Sequence, residues 1–359
     1  MNSKLFVDTF PLPLESPENI DKIVLDAYFG AQKFYFLKAA IELKIFDELL
    51  EKKTVEEISS KLKIDYVLTE LILKALYKMN LLIFDEGTNS YKNTIASENY
   101  LKTDTDYSKV YSIIASLKNI ERWTNLSETL KNECKNELVE GSFFPEIIKR
   151  MANDCKCWEL QKTVEYISKL PEFKSAKKLL DVAGGHGLYA IGLSLINENL
   201  NAHVFDLPDV TVETNKFIEK YGAKNVETIS GNFFKDEFNK DYDVIFSSYN
   251  PGGKNPEIAK KIYDSLKTGG IFVTKQAFPN ESTKLSDILN NIEWNFNNFS
   301  NVKKGVSRYT FKGDLSFENY ILYLKELGFE IIDVKNLSEV TEFSEDIYPN
   351  NIIIAKKIN

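Results

Sequence analysis

The chain has 359 residues, more than one globular core ordinarily holds, so its length favours two domains. Hydrophobic residues make up 43% and charged residues 27%, with 16 glycines and 10 prolines, which excludes a disordered, collagen-like or low-complexity chain. The formal charge of −8 repels phosphate backbones and argues against a nucleic-acid partner. No apolar run approaches the roughly 20 residues that span a bilayer, and the start MNSKLFVDTFPLPLESPE lacks a basic segment followed by an apolar one. With an odd count of three cysteines, this points to a cytoplasmic protein without a disulfide framework, and with no membrane partner.

The chain to about residue 170 reads as helical. From Lys22 to Leu50, Ala27, Ala31, Phe34, Leu37 and Ile41 recur at helical spacing among many aromatics, an apolar surface that needs a cover. Thr54-Val-Glu-Glu57 has the form of a capping box and opens a short helix through Leu62. Asp65 can cap a second helix carrying Leu68, Ile72, Ala75 and Met79. LLIFDEGTNSYKNT then reads as two strands around a Gly-Thr-Asn turn, which completes a winged helix. From Thr54 to Thr94 five lysines face six acidic residues, and the second helix has no arginine to read guanine edges, so a dimerisation role fits better than DNA binding.

From about Lys177 the period changes. KLLDV, AHVFD, VETIS, DVIFSS, GIFVTK, GFEIIDV and NIIIAKK are seven short strand candidates separated by helical stretches, the alternation of a doubly wound α/β domain. Residues 336 to 350 leave no room for a normal helical crossover, so the last strand is expected to run antiparallel to the others. The expected division is 1–105 as the winged helix, 106–170 as a helical connection and 171–359 as the α/β domain.

The chemistry concentrates in Leu180-Asp-Val-Ala-Gly-Gly-His-Gly-Leu-Tyr-Ala190. A strand ends near Asp181, and Gly184, Gly185 and Gly187 let the turn pass close beneath a ligand before a helix starts. Asp206 ends the next strand, where a carboxylate can accept both hydroxyls of a ribose. Asp181 beside the glycines would repel a pyrophosphate but suits the cationic amino-acid end of S-adenosylmethionine. After the third strand, Asn232 and Phe233 can offer an amide and a ring to an adenine. Tyr249, Asn250 and Lys254 occupy the end of the fourth strand, where open α/β sheets hold their ligands, and are candidates to orient or polarise an acceptor.

In these ordered motifs the chain resembles the class I S-adenosylmethionine-dependent methyltransferases of the plant caffeate and bacterial acetylserotonin or polyketide O-methyltransferase type. FLKAAIELKIFDELLEKKTVEEISSKLKI and LTELILKALYKMNLLIFDEGTNSYKNT look like that family's winged-helix dimerisation domain, FFPEIIKRMAND like the segment entering its catalytic domain, and DVAGGHG like its DVGGGxG with Ala183 in place of a glycine. VFDLPDV resembles its ribose motif, and GNFF its adenine motif with Asn232 for the usual acid. The resemblance implies a mainly helical winged-helix dimerisation domain before a Rossmann-like seven-stranded α/β methyltransferase domain, a homodimer, and S-adenosylmethionine as cofactor. It adds Met151, Leu207 and Ser247 to the cofactor-binding residues and places Trp294 and Phe296 where the family builds its acceptor pocket.

The departures from the pattern bear on mechanism. Where the family carries its general-base histidine this chain reads Phe246-Ser-Ser-Tyr-Asn-Pro-Gly-Gly-Lys-Asn-Pro256, and its two histidines, His186 and His203, read as structural. The usual acid of the fifth strand is matched by Lys275, and a further family acid aligns loosely with Asp314. Lys275 and Arg308 would favour an anionic acceptor if they face the cleft. The expected reaction is methyl transfer to a small, aromatic or anionic acceptor, with O-methylation implied by the resemblance. Transfer to carbon, nitrogen or sulfur, or a non-methylating enzyme or sensor that binds the same cofactor, stays open. No metal is expected, since neither histidine has a second ligand at metal spacing.

Overall fold

A computed structural model of the protein describes residues 8–132, 136–138, 140–250, 252–278, 284–299, 303–343 and 350–359. The chain divides into two compact units, Met1–Ser116 and Leu117–Asn359. Among the described residues no helix is long and apolar enough to cross a membrane.

The first unit opens with helix α1 (Glu18–Glu42). The sequence pattern extends this helix to Leu50, but Lys44 turns into the left-handed region (φ 57°), and Ile45 and Phe46 drop from a separate short turn into the core. Ile20, Ile23, Val24, Leu25, Tyr28 and Phe29 stay exposed on the unit. Helix α2 (Val55–Leu62) has the expected capping box: Glu57 N–H donates to Thr54 Oγ1 at 3.3 Å, and Thr54 N–H donates to Glu57 Oε2 at 2.8 Å. Asp65 Oδ1 accepts from Leu68 N–H at the start of α3 (Tyr66–Lys78). The buried face of α3 is Thr69, Leu73 and Leu76, one position round from the predicted one, and Leu68 and Leu71 are exposed. Thr69 can lie inside because its hydroxyl donates to the carbonyl of Asp65, which a reading that counts threonine as polar does not anticipate. Strands β1 (Lys53–Thr54), β2 (Leu82–Asp85) and β3 (Ser90–Asn93) form the wing in the order β1-β3-β2.

The second unit begins within helix α4 (Val110–Trp123) and continues through β4 (Asn136–Leu138), α5 (Glu140–Lys156) and α6 (Glu159–Ser168) into the alternating region. There follow β5 (Lys178–Val182), α7 (Leu188–Ile196), β6 (Asn201–Asp206), α8 (Pro208–Tyr221), β7 (Val226–Ser230), β8 (Tyr242–Ser248), α9 (Pro256–Ser265), β9 (Leu266–Gln276), α10 (Leu285–Trp294), β10 (Asn297–Phe299), α11 (Phe317–Leu327), β11 (Phe329–Asn336) and β12 (Asn351–Lys357). The seven-stranded sheet has the order β11-β12-β9-β8-β5-β6-β7, with β12 antiparallel to both neighbours and the five strands β5 to β9 parallel. All seven predicted strands and the antiparallel last one are present. A pairing that the sequence did not suggest joins β4 to β10 in a separate two-stranded sheet.

One apolar layer packs Leu179, Phe246, Ile271 and Val273 against α6 and α7, and the other packs Leu180, Ile245 and Phe272 against α9 and α11. Strand order reverses between β5 and β8, so their carboxyl ends frame the crevice where an open α/β sheet takes its ligand.

Candidate active site

The glycine-rich turn leaves β5 at Val182 and enters α7 at Leu188. Ala183 and Gly185 both take the left-handed conformation (φ 51° and 56°), so the alanine that replaces a family glycine keeps the turn at some strain. A Cβ on Gly184 would stand 2.6 Å from Cγ of Asp181, so the loop lies directly on that carboxylate. Asp181 is 1% exposed and neither of its oxygens has a partner in good hydrogen-bond geometry, although the Ala190 amide acts on the carboxyl from α7. Burial, and then the charge of Asp206, push its carboxyl up to about 8, against the pull of Lys275 and of the Ala190 amide. Asp206 accepts from Gly185 N–H at 2.8 Å and from Leu207 N–H at 2.7 Å, and burial pushes it up to about 6 against these two amides. Helix α5 closes on the same turn, for Ile148 Cδ1 lies 2.9 Å from where a Cβ of Gly185 would be, and Met151 is half-buried one turn further along.

Past β7, Asn232 folds its amide back on its own turn: Oδ1 accepts from Phe234 N–H, and its backbone N–H donates to Asp236. Phe233 is half-buried, its ring 4.5 Å from that of Phe234.

The end of β8 is tied to its neighbours through Asn250. Its Nδ2 donates to the carbonyl of Val182 at 3.1 Å, and its Oδ1 accepts from Gln276 Nε2 at 2.7 Å and Ser247 Oγ at 3.2 Å. Asn250 thereby clamps the ends of β5, β8 and β9 together, and Ser247 belongs to the same clamp. Lys254 is 1% exposed, 3.7 Å from Asp314 and donating to the carbonyl of Tyr309. Burial lowers the Lys254 ammonium and raises the Asp314 carboxyl, and each partner opposes the shift of the other. Asp314 also accepts from the N–H groups of Gly252 and Phe311, so this pair fastens the segment after β8 to the 303–314 segment.

Tyr249 stands over the end of β9 in the left-handed conformation (φ 53°), its N–H on the carbonyl of Lys275 and its hydroxyl accepting from Asn350 Nδ2 at 3.1 Å. Beneath it Lys275 is fully buried. Its ammonium donates to Glu159 and to the Tyr189 hydroxyl and lies 4.2 Å from the ring centre of Tyr189 and 4.7 Å from that of Tyr249. The positive charge expected in the cleft is thus held under an aromatic side chain. Glu159 and Tyr189 escaped sequence reading because their partner lies about 100 positions away; the available signal was a lysine inside the apolar run GIFVTKQAF, which demands a buried acid.

Both histidines are occupied. His186 Nδ1 accepts from Leu188 N–H and Nε2 faces Cys155 Sγ at 3.6 Å; burial holds this ring neutral, down to about 3. His203 pairs with the hydroxyl of Tyr242 toward the opposite end of β8. Further out, Trp294 Nε1 donates to the carbonyl of Gly305, Phe296 packs edge-on against Trp123, and exposed Arg308 reaches Asn290 and the Tyr309 hydroxyl. Among the described residues no three His, Cys, Asp or Glu side chains gather to hold a metal ion.

Comparison with known proteins decides the family. Residues 25–103 match the O-methyltransferase dimerisation domain and residues 147–291 the O-methyltransferase domain. An uncharacterized protein of Methanocaldococcus jannaschii is 49% identical, over 96% of this chain and 99% of its own length. The chain belongs to the O-methyltransferase family. It is an S-adenosylmethionine-dependent methyltransferase with a dimerisation domain. An L-tyrosine C(3)-methyltransferase of Streptomyces lavendulae is 24% identical over 70% of this chain and 74% of its own length. The fold is shared with human N-acetylserotonin methyltransferase, solved in complex with S-adenosylmethionine, at a TM-score of 0.67 and 17% identity over 97% of this chain and 100% of that one.

The residues of this chain fit the cofactor on their own chemistry. An ammonium group suits the buried, partnerless carboxylate of Asp181, and a loop in which Gly184 admits no Cβ lies over it.

Proposed function

We propose that this O-methyltransferase-family chain methylates a small aromatic or anionic acceptor that reaches the site already ionised or otherwise nucleophilic. The observation that carries this reading is the state of the strand ends. Asn250 is spent on three hydrogen bonds, Asp314 is paired with Lys254, and His186 is neutral and engaged at both nitrogens. The ammonium under Tyr249, partly offset by Glu159, favours an anionic acceptor over a neutral one.

In this reading Asp181 faces the amino-acid end of the cofactor beneath Gly184, Gly185 and Gly187. Asp206 and Leu207 hold the ribose, Asn232 and Phe233 flank the adenine, and Ser247 and Met151 close the sides. The cofactor supplies a methyl group on a cationic sulfur. Tyr249 orients the acceptor above Lys275, whose buried ammonium, partly offset by Glu159, favours its negative charge. Asn250 and Lys254 act by keeping the strand ends and the adjoining segment in place, while Trp294, Phe296 and Arg308 form the outer acceptor wall. Residues 1–105 form the dimerisation module of a cytoplasmic homodimer, 106–170 the connection and 171–359 the catalytic part, with no nucleic-acid partner.

The test is release of S-adenosylhomocysteine from S-adenosylmethionine across phenols and thiols ordered by acidity. Turnover should favour acceptors ionised at the assay pH, and a rate independent of acceptor acidity would remove the argument. The relative named as an L-tyrosine C(3)-methyltransferase favours a second reading, transfer to an aromatic carbon, which mass spectrometry of the product distinguishes.

A further inference from the structure

We propose that Asp181 holds a proton in the free protein and gives it up when the α-ammonium group of the cofactor docks, and that Lys275, pinned by Glu159 and Tyr189, is the positioning residue that sets how readily the proton leaves. The proposal rests on the assignment of Asp181 to the amino-acid end of the cofactor.

The sheet places the two groups together. Asp181 pairs with Phe246, Phe246 with Val273, and Ser248 with Lys275. Side chains alternate along a strand, and Leu179, Phe246 and Val273 share one apolar layer, so Asp181 and Lys275 share that face, separated by the width of β8. A carboxyl group 1% exposed, without a hydrogen bond to either oxygen and with Asp206 on the adjoining strand, has nothing to stabilise its anion except Lys275 and the helix α7 amide. The groups facing Asp181 are Asp206 from β6, Lys275 from β9, and Tyr189 with the Ala190 amide from α7. Around Lys275 stand Glu159 from α6, Cys155 from α5, His186 from the glycine loop and Tyr249 from the end of β8, and Lys156 of α5 acts in turn on Cys155 and His186. Glu159 offsets the lysine's charge, so the pull on Asp181 is partial.

An incoming ammonium group makes the anion favourable. The O–H bond of Asp181 breaks, its proton passes to the solvent buffer, and the carboxylate pairs with the ammonium; no bond of the ligand changes.

Titration calorimetry with S-adenosylhomocysteine, in buffers of different ionisation enthalpy from about pH 6 to about pH 9, counts the protons released. Near neutral pH, release should approach one proton per ligand, and affinity should rise by up to about tenfold per pH unit. 5′-Methylthioadenosine, which lacks the amino-acid end, should release none, and Asp181→Asn should abolish the release, separating it from Asp206. Lys275→Met should move the half-release point to higher pH and Glu159→Gln to lower pH, opposite shifts that a merely structural role would not give; circular dichroism checks that both variants fold. Binding whose heat is independent of buffer throughout the range would overturn the proton release. Unmoved or parallel shifts in the two variants would overturn the role of Lys275. A folded protein that does not bind S-adenosylhomocysteine at all would instead overturn the site assignment on which the proposal stands.

Discussion

Asp181→Asn should make the cofactor-free protein more stable at neutral pH, and the gain should vanish in acid. In the folded chain the carboxyl is pushed up to about 8 from an ordinary 3.8, chiefly by burial. Below pH 3.8 both states carry the proton and the group contributes no difference. Between the two values the unfolded chain has released the proton while the folded chain keeps it, so stability is lost steadily as pH rises, until the folded group also ionises near pH 8. At about 1.36 kcal/mol per pH unit, the loss at pH 7 is about 4 kcal/mol, an upper bound that local relaxation reduces to about 2–4 kcal/mol. Asparagine has the same shape and does not titrate, so the variant avoids this loss. For a unit of this size the difference corresponds to about 5–15 °C in the unfolding midpoint at pH 7. Thermal unfolding of both proteins from about pH 4 to about pH 8 is the assay: the curves should converge in acid and separate progressively above it. Curves that stay parallel would refute the argument that a buried, partnerless carboxylate strains this site.

Ala183→Gly should raise the unfolding midpoint by about 2–4 °C, because about 1 kcal/mol of left-handed strain is relieved at φ 51°; a lowered midpoint contradicts this. Asp314→Asn leaves the Lys254 ammonium buried beside a neutral amide and should cost about 3–5 kcal/mol by thermal or urea unfolding. The paired change Lys254→Met with Asp314→Leu should recover most of that loss, and a single variant as stable as the parent would remove the pair from the fold's supports. Asp206→Ala frees the amides of Gly185 and Leu207 and should weaken S-adenosylhomocysteine binding at least about tenfold by calorimetry. Unchanged affinity there would sink the ribose assignment.

The strands of the second unit were legible because each is a short apolar run bounded by turn residues, and β12 was readable as antiparallel from chain length alone. Helix starts at Thr54 and Asp65 were legible because capping is a local pattern. The end of α1 was not, since a single lysine in the left-handed conformation leaves no mark on hydrophobic periodicity. Nor was the burial of Thr69, where an internal hydrogen bond outweighs residue type. At the site, the glycine loop and the two aspartates announced themselves by spacing, but the occupation of Asn250, Lys254 and Lys275 depends on Gln276, Asp314, Glu159 and Tyr189, which the fold brings in from distant positions. Sequence shows where a polar side chain emerges and not which partner meets it.

The buried contact between Lys275 and Glu159 also limits how this lineage can change. Restoring an acid at position 275 by one substitution would set two carboxylates against each other in a dry layer, and neutralising position 159 alone would leave an ammonium there without its counter-charge. Either single step passes through a less stable intermediate, so the two positions are expected to be exchanged together. Among related chains, an acid at the position of Lys275 should accompany a neutral or basic residue at that of Glu159, and a chimera that mixes the two arrangements should unfold at a lower temperature than one in which both positions come from one parent.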